Sequence, residues 1–168
     1  MTSNDKSTSA AQVKVISASA PDLVAEIVAR ELDLMRTKNR PEFFVDPKIL
    51  LEFYDVERIR EFDISAPFQL EGNDYVEMLV RVAPEYVGEA SIHDLRIECC
   101  GDVAFTSLVE RYVGHFRANG APFDLAFRMT HGWKKTRGLW KLLHEHMSFP
   151  VDAEGKPVMS TTFPLGGG

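Results

Sequence analysis

The hydrophobic pattern divides the chain into a half with helical spacing and a half with strand spacing. After Pro21 and Asp22, apolar residues fall at Val24, Ile27, Val28, Leu32, Leu34 and Met35, the three-to-four-residue rhythm of one helix face. Phe43-Phe44-Val45 then leads into Asp46-Pro47. An N-cap followed by a residue preset for the first helical turn predicts a short second helix through Ile49, Leu50 and Phe53. A third helix is expected after Gly72, capped by Asn73 or Asp74. Its buried stripe would be Val76, Leu79, Val80 and Ala83, and Pro84 would end or kink it. Between the second and third helices, Glu61-Phe62-Asp63-Ile64-Ser65 has the look of a short strand.

From Ser91 onward the rhythm changes to runs covering roughly 91–100, 103–116, 123–135 and 139–150. The breaks are Gly101-Asp102, Asn119-Gly120 and Thr136-Arg137-Gly138. Asn-Gly is a strong hairpin signal because both residues tolerate positive φ. Helices first and strands afterwards is an α+β arrangement. The expected fold class is N-terminal helices packed on a long curved antiparallel sheet. The domain plan is a lead over 1–20, one folded domain over 21–152, and a loose extension over 153–168 that carries Pro157, Pro164 and a triple glycine.

Strict alternation sorts each run into two faces. On the last run Trp140, Leu142, His144, His146 and Ser148 share a face, with Lys141, Leu143, Glu145 and Met147 opposite. On the run before it Arg128 and Thr130 lie opposite Phe127, Met129 and His131, and Asp63 and Ser65 face away from Phe62 and Ile64. A polar cluster on a covered face is either a satisfied hydrogen-bond network or the lining of a cavity. At 100° per residue, Glu31 falls within the apolar stripe of the first helix, between Val28 and Met35. Such a carboxylate either pairs with a cation, Arg128 being the best candidate, or projects into a cavity. The alternative is a helix rotated to lead with Leu23, Ile27 and Leu34, with Glu31 reaching out to water.

Composition narrows the function classes. At 168 residues, 45% hydrophobic and 26% charged, the chain is one ordinary domain. A net charge of −6 argues against a general nucleic-acid partner, which needs a basic surface. The only cysteines, Cys99 and Cys100, are adjacent in a strand and point to opposite faces, so no disulfide between them is expected. No basic start precedes an apolar run, and no apolar stretch approaches a membrane span of ~20 residues. A cytoplasmic protein with no membrane partner is the expectation. His144-x-His146, with Asp63 or Glu31, is only a weak metal pattern, so no metal is expected. Lys134, Lys135 and Arg137 read as a solvated hairpin tip, and His93 and His115 as edge or interface residues.

The run Arg128-Met129-Thr130, followed by Gly138-Leu139-Trp140 and His144-Glu145-His146-Met147-Ser148-Phe149-Pro150, resembles the closing hairpin of SnoaL-like proteins of the nuclear transport factor 2-like (cystatin-like) superfamily. Tyr54, Phe62-Asp63-Ile64, Pro67 and Gly72 resemble that family's first strand and the start of its third helix, and Cys100 to Phe105 fits one of its hairpins. The resemblance covers about residues 22–152 and implies a conical cavity between helices and sheet, and a homodimer formed through the outer sheet face. It also implies a small hydrophobic or carbonyl-containing ligand, no cofactor, and, in catalytic members, proton transfer in cyclisation, isomerisation or dehydration. On that reading Asp63 is the base and His144 and His146 are acid/base or donor groups. Arg128 holds an oxyanion or carboxylate, Ser148 orients a histidine, and Thr130, Glu31 and Trp140 line the site. Helix one has no tyrosine, which departs from the steroid isomerase pattern. The rival reading is a non-catalytic dimeric binding or scaffold module whose polar cluster is structural.

Overall fold

The computed structural model describes residues 13–15, 21–64 and 69–158. A short strand β1 (Val13–Val15) precedes helix α1 (Pro21–Lys38). Two 3-10 turns follow, at Pro41–Phe44 and Pro47–Glu52. Two short strands, β2 (Arg60–Phe62) and β3 (Leu70–Glu71), lead to helix α2 (Asn73–Val82). Four long strands complete the domain: β4 (Tyr86–Cys100), β5 (Val103–Phe116), β6 (Pro122–Thr136) and β7 (Leu139–Ser148). The sheet order is β1-β4-β5-β6-β7-β2-β3. The four long strands are antiparallel neighbours, while β1 joins β4 and β2 joins β7 in parallel. The sheet is therefore mixed, with the expected antiparallel meander as its centre.

Local chemistry accounts for the boundaries. Asp46 accepts a hydrogen bond from the Lys48 amide at 3.2 Å, and Pro47 opens the turn as expected, although the segment closes as 3-10 rather than α. In α2 the buried residues are Tyr75 and Leu79. The stripe is rotated from the expected one, leaving Val80 exposed, because Tyr75 packs its ring on Tyr54 with centroids 4.9 Å apart. The Arg137-Gly138 turn between β6 and β7 holds both residues at positive φ, 52° and 82°, the twist-matching form of a two-residue hairpin. Cys99 is buried and Cys100 exposed.

Helix α1 lies on the sheet through Val24, Ile27, Leu34 and Met35, and the core joins these to Leu50, Phe53, Ile59, Leu95, Ile97, Trp133 and Leu142. Each such side chain contributes roughly 1.5–3 kcal/mol by leaving water. Two irregularities bend the sheet. The β4–β5 register shifts between His93 and Arg96, and the β6–β7 register shifts at Gly132/Trp133. In each an extra residue is inserted on one strand, which reverses the alternation beyond it. At the far end Gly88 and Gly114 face one another. A Cβ on Gly114 would stand 2.1 Å from the Val87 carbonyl and 2.8 Å from the Phe123 ring. That clearance lets Phe123 lie flat across the strands and stack on Tyr112 at 5.5 Å.

Candidate functional site

Between the helices and the inner face of the sheet lies a cavity of about 360 Å³. All four tyrosines of the chain line it, Tyr54, Tyr75, Tyr86 and Tyr112, with Phe43, Phe116, Phe123 and Phe127 among the other rings. Its carboxyl groups are Glu61, Asp63, Glu85, Glu110 and Glu145, and its lysine is Lys38. Lys38 Nζ is 2.9 and 3.3 Å from the two Glu110 oxygens, and that pair is almost wholly inside. Burial disfavours the Lys38 charge, but the Glu110 carboxylate outweighs it and the ammonium titrates well above its ordinary value.

Deep in the cavity two glutamates sit on neighbouring strands. Glu61 of β2 pairs in register with Glu145 of β7, and both are buried. Among the described residues no donor reaches either Glu61 oxygen, and the carboxyl group of Glu145 is near enough to share a proton with Glu61. Burial, followed by the nearby charges of Glu145 and Asp63, pushes its carboxyl up to about 10. Glu145 goes the other way. Burial opposes its ionisation, but His131, Lys38 and the Tyr54 hydroxyl together hold it at about 2. Tyr54 donates to Glu145 Oε2 at 3.2 Å. At neutral pH the site holds one protonated and one ionised carboxyl side by side. Two titratable groups with pKa values driven apart can serve one as acid and the other as a fixed charge.

Behind Glu145 the charge continues inward. His131 Nε2 is 3.3 Å from Glu145 Oε2, and its Nδ1 is 3.0 Å from both oxygens of Glu31. Glu31 also accepts from Thr106 Oγ1 at 2.5 Å and Trp133 Nε1 at 2.8 Å. All these groups are buried. Desolvation opposes charge on His131, yet Glu31 and Glu145 outweigh it and raise the imidazole to about 10. Glu31 is lowered despite burial, chiefly by the His131 charge. The result is a carboxylate–imidazolium–carboxylate row running from α1 through β6 to β7, hydrogen-bonded at its Glu31 end and in ionic contact at its Glu145 end.

Of the residues expected at the site, the structure brings Asp63 to the cavity wall and buries Glu31. Glu31 does lie within the apolar stripe of α1, but its cation is His131 and not Arg128. His144, His146, Ser148, Arg128 and Thr130 do share one face, paired across β6 and β7 as Gly132–His144, Thr130–His146 and Arg128–Ser148. That face is the outer one. The extra residue at Leu143 reverses the alternation, so Trp140 and Leu142 point inward before it and Glu145 and Met147 point inward after it. His144 Nδ1 meets the Arg60 carbonyl at 2.8 Å, and Phe62 stands edge-on to both imidazoles, with centroids 5.2 and 5.8 Å away. Arg128 donates to the Phe149 carbonyl at 3.0 Å. The buried Trp140 donates to Glu26 at 2.7 Å and is not among the cavity-lining residues. The sequence reading left out Glu61, His131, Glu145 and Lys38. Glu61 shares the parity of Asp63, and that signal was available. Ser65 and Pro67 lie outside the described residues, as does most of 1–20, although Val13–Val15 add a strand within that lead.

Residues 72–152 match the family described as the SnoaL-like domain. Compared by sequence with curated proteins, the chain has no match. By structure it is similar to an NTF2-like protein of unknown function from Pseudomonas putida KT2440, at 22% identity and a TM-score of 0.65, covering 83% of this chain and 97% of that one. It is similar to a candidate dehydratase of the NTF2-like family from Streptomyces avermitilis, at 16% identity and TM-score 0.67, covering 84% and 100%. The association domain of C. elegans CaMKII is also similar, at 18% identity and TM-score 0.61, covering 76% and 95%. The closing strands are SnoaL-like in sequence, and the α+β fold is NTF2-like.

Proposed function

We propose that this chain, with an NTF2-like fold and a SnoaL-like sequence over 72–152, binds a small, largely apolar carbonyl compound in its cavity and moves a proton on it without a cofactor. The observation that carries this reading is the Glu61 carboxyl, buried beside Glu145, reached by no donor among the described residues and facing an aromatic cavity. Held protonated beside the Glu145 carboxylate, Glu61 can turn its proton to a ligand oxygen that enters the cavity. A neutral carboxylic acid kept protonated at pH 7 is suited to hold or protonate an oxygen that gains charge during reaction. Asp63, on the same wall, is the group to take the proton from the carbon beside the carbonyl. The carboxyl-rich lining repels anionic ligands, so the substrate is neutral or cationic. Self-association through the outer sheet face belongs to the same reading, because that face carries exposed Val103, Phe105 and Val113.

Deuterium incorporation tests the chemistry. A panel of cyclic and aryl ketones incubated with the protein in heavy water is expected to gain deuterium next to the carbonyl. Asp63→Asn and Glu61→Gln should each slow that exchange about 10²–10⁴-fold. Exchange at the uncatalysed rate with every ketone, or full exchange in both variants, would sink the reading.

A further inference from the structure

The two glutamates are chemically alike, sit in register on neighbouring strands and are both buried, and Lys38 acts on both from a distance, yet only Glu145 is in contact with a cation, His131. We infer that Glu31 and His131 are positioning residues for the cavity, fixing the negative charge on Glu145 so that the shared proton resides on Glu61. This deepens the acid/base reading and rests on it, since it says why Glu61 is the acid.

The geometry supplies the asymmetry. His131 touches Glu145 at 3.3 Å and Glu31 at 3.0 Å, and no described contact links it to Glu61. Glu31 is itself held by two further donors, Thr106 and Trp133, so the imidazole is anchored from behind and presents its other nitrogen to Glu145. A carboxylate on each side makes the doubly protonated imidazolium the favoured form. Its proximity in turn favours the charged form of Glu145, and a charged Glu145 disfavours charge on its neighbour. The other groups that act on Glu61 are Asp63, beyond the end of its own strand, and Lys38 of α1. Lys38 is committed to Glu110 of β5. Tyr54 and Tyr75 are close and uncharged at neutral pH, since burial raises both well above the ordinary tyrosine value. Of the cations behind the pair, only His131 distinguishes one glutamate from the other by direct contact. Neither His131 nor Glu31 lines the cavity, so their influence is exerted through Glu145.

The test reads the proton directly and does not depend on activity. Infrared difference spectra between wild type and Glu61→Gln are expected to show the carbonyl stretch of one protonated carboxyl at pH 7, present in wild type and missing in the variant. In His131→Gln the ionised form of Glu145 loses its cation, so the proton should pass to Glu145. A protonated-carboxyl band should then survive at pH 7 in His131→Gln/Glu61→Gln, and in His131→Gln alone the band should persist to higher pH than in wild type, by about one pH unit or more. Glu31→Gln, which keeps the shape and removes the charge that holds His131 cationic, should likewise let a band survive when combined with Glu61→Gln, and secures the result if His131→Gln fails to fold. Tyr54→Phe removes a hydrogen bond to Glu145 but no charge, and combined with Glu61→Gln should restore no band. A wild-type band that Glu61→Gln leaves intact overturns the assignment of Glu61 as the acid and the inference with it. A band that Glu61→Gln removes in the Glu31→Gln background and in any folded His131→Gln as fully as in wild type overturns the inference alone.

Discussion

A carboxyl with no cation in contact is tolerated inside a protein when it is neutral, because removing a charge from water costs several kcal/mol that nothing offsets. Glu61 meets that condition through a proton that it keeps up to about 10 against an ordinary 4.5. Between those values the folded protein binds a proton that the unfolded chain has released, so this group makes stability fall as pH rises. His131, raised from 6.5 to about 10, acts with the same sign: its contribution is fully present below 6.5 and is lost as pH rises toward 10. Glu145, held at about 2 against 4.5, contributes stability that is lost only as pH falls from 4.5 toward 2. Glu61→Gln is uncharged at every pH and leaves the other two in place. Its stability relative to wild type is therefore expected to rise between pH 5 and pH 9, by up to about 1.4 kcal/mol per pH unit. Urea unfolding at pH 5, 7 and 9 measures the gap, and a gap that does not widen would mean that Glu61 is ionised in the folded protein. At this scale the sequence was partly legible. The angle of Glu31 on its helix marked it as anomalous, and Asp63 was placed on the cavity. Glu61 has the parity of Asp63 and could be placed on the same face, but parity on so short a strand does not show which of its polar residues is the buried one.

The elements were legible wherever their periodicity is regular, and misread where a single extra residue interrupts it. On β7 an alternation carried unbroken from Trp140 to Ser148 places both histidines inside. The inserted Leu143 places Glu145 and Met147 there instead. On β4 the same device moves the inward set from Ala90 and Ile92 to Leu95, Ile97 and Cys99. A bulge follows from long-range registry and twist, which no local pattern encodes. In β4 it leaves a mark on the backbone, since Asp94 sits at φ 47°, a conformation that burdens a side-chain-bearing residue and suits glycine. Its ion pair with Arg96 spans 3.3 Å between side chains about half exposed, a geometry that contributes little. Asp94→Gly is thus expected to be neutral or stabilising by up to ~1 kcal/mol. Asp94→Val should cost about 1–2 kcal/mol, because a β-branched residue is least tolerant there. Thermal melts of the two variants decide this, and equal melting temperatures would mean that the strand does not hold its left-handed turn.

For the molecule as a whole, the two faces of the sheet have different fates. The inner face is covered by α1, α2 and the 3-10 turns and carries the core and the cavity. Among the described residues no helix lies over the outer face, where β5 presents Val103, Phe105 and Val113 with about half of each side chain in water. An antiparallel sheet can leave one face to solvent when that face is polar, and much of this one is. Arg111 and Asp124 make a two-pronged pair at 2.8 and 2.6 Å, and Lys134 meets Asp102 at 2.5 Å. The exposed apolar residues of β5 interrupt that polar surface on its central strands, and rows of apolar residues framed by charges are the composition of protein interfaces. A second copy of the chain placed face to face would cover Val103 and Phe105 at one end of β5 and Val113 toward the other, each beside an ion pair, Lys134–Asp102 and Arg111–Asp124. Phe105→Glu would then set like charges against each other across the two-fold axis, while altering nothing that lines the cavity. Sedimentation equilibrium is expected to give a dimer mass for the wild type and a monomer mass for Phe105→Glu, with unchanged far-ultraviolet circular dichroism and unchanged ketone exchange in the isolated monomer. A wild-type chain that sediments as a monomer at every concentration would remove the outer face as an interface and leave the cavity chemistry where it stands, because no residue of that face reaches the Glu61–Glu145 pair.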